Sequence, residues 1–92
     1  MLRFYILDML SQPTIRVAPF SVLKDALKDI LGNGVTGDRI ITEVHWLYEQ
    51  GYLIAYEREV WCAEITSRGT EVVSGHFIAP GIQPSPKIRK AQ

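Results

Sequence analysis

Residues 36–54, which read T-G-D-R-I-I-T-E-V-H-W-L-Y-E-Q-G-Y-L-I, decide the fold. Thr36 is a residue type favoured at a helix N-cap, and Asp38 would stand in the first turn, where the helix dipole stabilises an acid. Gly51 suits the position just after a helix, where a left-handed backbone is common. The sequence therefore predicts a helix that ends at Gln50 and leads at once into a strand.

A predicted β-hairpin follows this helix. Two β-rich segments, 52–56 and 60–65, are separated by the charged turn E-R-E at 57–59. Alternation in the second segment puts one set of side chains on a common side: Trp61, Ala63 and Ile65. Thr66 then caps a predicted short helix over 67–74, so that capped helices stand on both sides of the hairpin.

Three further elements are predicted before residue 36. Apolar residues at helical spacing predict a helix over Leu2–Leu10. The segment Thr14–Ala18 alternates and predicts a short strand with Val17 facing inward. An apolar stripe predicts a helix that starts at Pro19 and stops at G-N-G, residues 32–34. The stripe comprises Phe20, Leu23, Leu27, Ile30 and Leu31.

The chain divides into a domain and a tail. Residues 1–75 hold the predicted order helix, strand, helix, helix, hairpin, helix, and form one domain. Residues 76–92 hold three prolines and three basic residues, and no acid: Pro80, Pro84, Pro86, Lys87, Arg89 and Lys90. Because this composition does not build a core, we predict a flexible, Pro-containing basic tail.

Composition bounds the class of protein. At 92 residues, of which 47% are hydrophobic, the chain is one small domain that can form a core without cross-links. The single cysteine, Cys62, excludes an internal disulfide and any cysteine-rich zinc site. No apolar run approaches the roughly 20 residues of a membrane span, and the N-terminal segment lacks a signal-peptide cleavage site. We therefore expect a cytoplasmic protein that does not enter a membrane.

Charge is unevenly distributed although the net charge is zero. Residues 1–75 hold seven Lys or Arg and ten Asp or Glu, a net charge of −3, and the tail carries +3. Nonspecific binding to nucleic acid draws on Lys and Arg contacts to phosphates. The domain therefore lacks the basic footprint usual in DNA-binding proteins.

Two motifs carry a resemblance to a known fold family. V-H-W-L-Y-E-Q-G-Y-L-I at 44–54 and I-T-S-R-G-T-E-V-V at 65–73 resemble the winged helix-turn-helix domains of bacterial MarR-, ArsR- and PadR-type regulators. In those families the first motif ends the recognition helix and enters the wing, and the second leaves the wing. The resemblance covers about residues 1–75. It implies an α+β winged helix-turn-helix with a three-helix core, a short strand, a β-hairpin wing and a C-terminal short helix.

The chain also departs from those families. The ArsR metal-binding cysteine motif is absent, and there is no room for the long dimerisation helices of the MarR and PadR types. The wing turn holds Arg58 between two acids, where DNA-binding wings usually offer a positive tip. The chain also resembles the small stand-alone winged helices carried by phages and prophages.

The resemblance implies a small transcriptional regulator that binds double-stranded DNA as a dimer and needs no cofactor. Its helix 36–50 would enter the major groove, where Arg39 would pair with guanine and Thr42 and His45 would contact bases or phosphates. In the alternative interpretation, this is a solvated helix face on which Arg39 pairs with Glu43. The predicted DNA-binding residues are Thr36, Arg39, Thr42, His45, Trp46, Arg58, Lys87, Arg89 and Lys90.

Several of these residues have a second interpretation. Trp46 is predicted on the polar face, where an exposed tryptophan anchors an interface, unless the tail or the wing covers it. Arg58 is alternatively a turn residue screened by its acidic neighbours, and the tail bases alternatively serve solubility. The alternative function is a protein-interaction or assembly module, in which Trp46 anchors a homodimer or a hetero-complex.

Catalysis has little support in the sequence. Neither histidine, His45 or His76, lies in a recognisable catalytic motif, and Cys62 suits a small buried thiol. There is no phosphate-binding loop and no metal-ligand spacing. His45 and Glu49 stand one helical turn apart, which is more often a surface contact than a metal site. We predict no enzyme activity, catalytic residue, metal or cofactor.

Overall fold

A computed structural model of the chain describes residues 2–15, 17–32, 34–57 and 59–82. It is an α+β structure of four helices and a three-stranded antiparallel sheet. The elements in chain order are α1 (Leu2–Leu10), β1 (Val17–Pro19), α2 (Phe20–Leu31), α3 (Gly37–Glu49), β2 (Leu53–Glu57), β3 (Trp61–Ile65) and α4 (Ser67–Ser74). The predicted order of elements is therefore present in the described part of the chain.

The sheet has the order β1-β3-β2, so that the first strand pairs with the third. In its register Ala63 lies between Ala18 of β1 and Ala55 of β2, and Leu53 lies opposite Ile65. Because directly paired residues share one face of a sheet, these five side chains form its inner face. The proline that ends β1 is tolerated because β1 is an edge strand.

The first strand differs from its prediction. It forms over Val17–Pro19 rather than Thr14–Ala18, and its inward residue is Ala18, whereas Val17 is exposed. The reason is the register with β3, which pairs Ala18 with the buried Ala63. A shift of one residue exchanges the two faces of a strand, so that an inward Val17 was the wrong expectation.

The core lies between the helices and the inner face of the sheet. Helix α1 packs against α2, α3, α4 and β3, which makes it the central element. The largest fully buried side chains are Ile6, Leu7, Leu10, Leu23, Leu27, Ile40, Leu47 and Leu53. Burial of each such side chain contributes about 1.5–3 kcal/mol, so this aliphatic set supplies most of the driving force for folding.

Local hydrogen bonds cap the two helices that flank the hairpin, α3 and α4. The Thr36 and Thr66 hydroxyls cap α3 and α4 by accepting from backbone N–H groups three residues on, both at 3.1 Å. The Thr66 hydroxyl also donates to the Gly51 carbonyl at 2.8 Å. Gly51 itself has φ +83°, the left-handed backbone that the sequence predicts after α3. The caps and the glycine exit are confirmed.

Close packing joins α4 to the start of β2. A Cβ atom on the buried Gly69 would lie 2.1 Å from the Tyr52 carbonyl oxygen and 2.8 Å from Cγ1 of Ile65. The same carbonyl accepts a hydrogen bond from the Thr66 N–H at 3.2 Å. The glycine therefore allows α4 to approach the hairpin at backbone distance.

The folded part of the chain continues past the predicted boundary at residue 75. Gly75 ends α4 with a left-handed backbone, φ +85°, which turns the chain back. Ala79 and Ile82 are then buried in the core, and Phe77 packs against it. Residues 76–82 were predicted to belong to a flexible tail, but their apolar side chains instead complete the packing around α1 and α3.

Candidate binding surface on the third helix

Helix α3 has two contrasting flanks. At 100° per residue, Glu43 and Trp46 fall on one side of its buried stripe, and Ile41 and Tyr48 fall on the other. Residues 77–82, which we call the covering segment, lie against the first side. The second side is open and faces the β2–β3 hairpin. The exposed ridge of the helix lies between the two flanks.

Arg3 of α1 closes the first flank through three contacts. Its Nε donates to Oε2 of Glu43 at 2.9 Å, and its Nη1 donates to the Gly81 carbonyl at 2.8 Å. The guanidinium also stacks on Trp46, with 3.7 Å between Cζ and the ring centroid. A planar guanidinium can donate in its plane and stack on its face at once, so one side chain joins α1, α3 and the covering segment.

The covering segment approaches Trp46 closely. Gly81 has φ +88°, and a Cβ there would lie 2.8 Å from Cζ2 of Trp46 and 3.1 Å from Nη1 of Arg3. Trp46 is consequently part-buried against the core and near Tyr52, with 6.4 Å between ring centroids. The expectation of an exposed Trp46 is wrong, and the alternative in which the tail covers it agrees with the structure.

Glu43 does not have the partner that the alternative interpretation of the helix face gave it. It is 7% exposed and pairs with Arg3 rather than with Arg39. The helical period accounts for this, because Glu43 falls between Ile40 and Leu47 on the buried side. Its partner is 40 residues away in the sequence, so local spacing held no signal for the pair.

The exposed ridge of α3 carries three of the predicted DNA-binding residues, Arg39, Thr42 and His45. Thr42 donates its hydroxyl hydrogen to the Asp38 carbonyl at 2.9 Å. Thr36 is exposed at the start of the helix, where its hydroxyl serves as the N-cap. The remaining predicted residues, Arg58, Lys87, Arg89 and Lys90, lie outside the described residues, and their contacts stay predictions.

Charge around the ridge is unfavourable for a phosphate backbone. Besides the Arg39 guanidinium, the exposed face carries the carboxylates of Asp38 and Glu49. Residues 1–82 together hold seven Lys or Arg and ten Asp or Glu, a net charge of −3. DNA affinity grows with the number of cations that contact phosphates, so this surface has little to contribute to it.

The open flank of α3 forms an apolar cleft of about 440 Å³ against the sheet and the start of α2. We call this space the cleft. It is lined by Phe20, Ile41, Val44, His45, Tyr48, Ala55, Trp61, Cys62 and Ala63. Ala55 and Ala63 are paired across the hairpin and carry short side chains. Because these alanines do not fill the space beside α3, the larger side chains on either side remain uncovered.

Three large apolar side chains at the cleft are half exposed. The exposed fractions are 53% for Ile41, 48% for Tyr48 and 58% for Trp61. The sequence groups Trp61 with Ala63 and Ile65 on one side of its strand, but it does not show that Ile41, Tyr48 and Trp61 form one surface. The sequence feature that predicts the cleft is the pair Ala55 and Ala63. Their short side chains do not fill the space between the inner face of the hairpin and α3.

In the described part of the chain, the His, Cys, Asp and Glu side chains form no group of three or more that could hold a metal ion. None of the helices in this part has the length and apolar composition needed to cross a bilayer. His76 shares a 2.8 Å hydrogen bond with the Ser74 hydroxyl on an exposed turn, which is a contact at the end of α4.

Comparison with known proteins adds no relative to these observations. The sequence matches no protein-family model and no curated protein.

Proposed function

We propose that this chain is a winged helix-turn-helix protein that uses the cleft to bind another protein. The order α1-β1-α2-α3-β2-β3, with β1 beside β3, supports the winged-helix assignment. In that assignment α2 and α3 form the helix-turn-helix, and the β2–β3 hairpin is the wing. The cleft then lies between the recognition helix and the wing.

The half-exposed apolar side chains at the cleft are the main support for a protein-binding function. Tyrosine and tryptophan are enriched among the residues that dominate binding energy at protein interfaces. Tyr48 and Trp61 stand on opposite walls of one concave site, with Ile41 beside them. Removal of apolar surface from water contributes about 25 cal/mol per Å², so a partner that covers these side chains gains substantially.

Electrostatics favour a protein partner over duplex DNA. Residues 1–82 carry −3, and one cation, Arg39, stands on the exposed ridge of α3 among two carboxylates. A phosphate backbone would meet repulsion on most of this surface. A protein segment with apolar and basic side chains would meet apolar walls and a favourable field.

Photo-crosslinking in cells tests this proposal. A photoreactive phenylalanine analogue in place of Tyr48 should give discrete protein adducts, because its ring lies in the proposed interface. The same analogue in place of Val22 is the matched control, since Val22 is equally exposed but lies on α2 away from the cleft. The variant Trp61→Glu should abolish the adducts from position 48. Equal adducts from both positions, or adducts to nucleic acid alone, would contradict the proposal.

A second candidate function is supported by Arg39, Thr42 and His45, which share the exposed ridge of α3. In this proposal the protein is a transcriptional regulator that inserts the ridge into the major groove of double-stranded DNA. A mobility-shift assay on genomic DNA at low salt tests it, with Arg39→Ala expected to weaken binding and Lys28→Ala, on α2, as control. Absence of a shift at micromolar protein would exclude this function.

A further inference from the structure

We propose that the cleft is occupied by the C-terminal segment of the same chain, residues 83–92, with the sequence Q-P-S-P-K-I-R-K-A-Q. This inference rests on the proposed function, because it names the first occupant of the protein-binding cleft. External partners would then compete with the segment. They would share its chemistry, an aliphatic side chain flanked by Lys or Arg.

The chemistry of the segment matches the cleft. Ile88 is its one large aliphatic residue, and it stands among three cations with no acid: Lys87, Arg89 and Lys90. The cleft offers apolar walls for such a side chain, formed by Ile41, Tyr48 and Trp61. An aliphatic anchor with a basic flank is thus paired with an apolar site on an acidic domain.

The net charges of residues 1–82 and of residues 83–92 are equal and opposite. Residues 1–82 hold seven Lys or Arg and ten Asp or Glu, a net charge of −3, and residues 83–92 carry +3. Exposed carboxylates stand on both sides of the cleft: Glu57 lies opposite Trp61 in the hairpin, and Glu49 follows Tyr48 on α3. A basic segment that enters the cleft therefore gains attraction from both walls.

The segment is long enough to reach the cleft. It follows Ile82, next to Gly81, which packs on Trp46 at the closed flank of α3. A path across the ridge covers half the circumference of a helix, about 17 Å for a diameter of 10–12 Å. Ile88 stands six positions after Ile82. Because a chain reaches at most about 3.3–3.6 Å per residue, six positions can bridge about 20 Å.

The exposed ridge, which carries Thr42 and His45, lies between the closed flank and the cleft. Asp38 and Glu49 are exposed on the same ridge and would attract the cations of the segment. The tether of the segment gives it an effective concentration of the order of millimolar, which an external partner must overcome.

Nuclear magnetic resonance on the full chain tests the inference through its two tryptophans. Trp61 lines the cleft, whereas Trp46 lies at the closed flank and serves as an internal reference. Ile88→Asp should move the indole N–H signal of Trp61 and leave that of Trp46 in place. The matched control is Ile78→Asp, because Ile78 is 86% exposed and should move neither signal. An unmoved Trp61 signal in Ile88→Asp would overturn the inference.

Disulfide trapping supplies a second readout. Cys62, the single cysteine of the chain, lines the cleft, and Ala91→Cys places a thiol three residues beyond Ile88. Under mild oxidation we expect an intramolecular disulfide at least tenfold faster than in a control with Cys62→Ser, Val22→Cys and Ala91→Cys. Tyr48→Glu should remove that advantage. Equal rates, or disulfide-linked dimers in place of the intramolecular product, would overturn occupancy by the same chain.

The two proposals can fail separately. Protein adducts from position 48 without the Trp61 shift or the rapid disulfide would mean that the cleft binds an external partner and not its own segment. The disulfide and the shift without protein adducts would mean that the cleft is an internal docking site alone. Failure of all three measurements would remove both proposals.

Discussion

At the scale of the residue, Arg3 shows how one side chain can replace several weaker contacts. It neutralises the buried Glu43, stacks on Trp46 and binds the carbonyl of Gly81. A lysine could satisfy the carboxylate but has no planar face to lie on the indole. The positive charge of α1 is therefore a structural requirement of the closed flank.

We expect Arg3→Ala to lower the free energy of unfolding by about 3 kcal/mol, because it leaves the Glu43 carboxylate buried without its partner. Urea denaturation followed by circular dichroism measures the change. Arg39→Ala is the matched control, because Arg39 is an exposed arginine on α3. It should change the free energy of unfolding by less than about 0.5 kcal/mol. Similar losses in the two variants would contradict the role assigned to Arg3.

At the scale of the element, the sequence predicts helix caps and turn residues, but it does not predict how strands that are distant in the sequence pair. The caps of α3 and α4 and the glycine exit at Gly51 depend on residues within four positions of each other, so the sequence predicts them correctly. The side of β1 that faces the core depends on its register with β3, which is 45 residues away at the Ala18–Ala63 pair. Spacing within β1 could not supply that register.

The two flanks of α3 show the same division. The helix itself was predicted from its pattern, but an amphipathic wheel does not tell which element covers each side. Trp46 is covered because a segment after α4 returns to it, and Tyr48 is half exposed because small residues stand opposite. The candidate site could therefore be placed on α3 from the sequence, but its location on the helix could not.

Removal of the glycine at the closed flank should detach the covering segment. Gly81→Ala strains a left-handed backbone and forces a Cβ into the Trp46 ring, which together should cost about 2 kcal/mol. In a Trp61→Phe background, the emission of Trp46 should shift to longer wavelength as water reaches it. Gly32→Ala is the control, because Gly32 has φ +83° and open space around it. It should lose stability without a change in emission.

At the scale of the whole molecule, folding and binding draw on different apolar surfaces. The buried set around α1 stabilises the fold, and the cleft adds little because Ile41, Tyr48 and Trp61 are about half exposed. The element order and the core lie in residues 2–82, whereas the charge that balances the domain lies in the last ten residues of the chain. The fold is thus separable from the surface that we assign to recognition.

That separation predicts the behaviour of Trp61→Ala. The free energy of unfolding should fall by no more than about 2 kcal/mol, below the roughly 3–5 kcal/mol typical of a buried tryptophan, because the side chain is 58% exposed. Crosslinking from position 48 to a protein partner should nevertheless be lost. Thermal denaturation and the photo-crosslinking assay, run on the same preparation, separate the two effects. A large loss of stability would show that the cleft belongs to the core.

The bond between Arg3 and the Gly81 carbonyl joins residues that are 78 positions apart at 2.8 Å. Arg3 and Gly81, which are close to the first and last described residues, therefore lie side by side. Circular permutation depends on such proximity, since a few added residues can then bridge residues 2 and 82. We expect a variant joined there by a short glycine-serine linker, and opened in the loop between α2 and α3, to keep every described helix and strand.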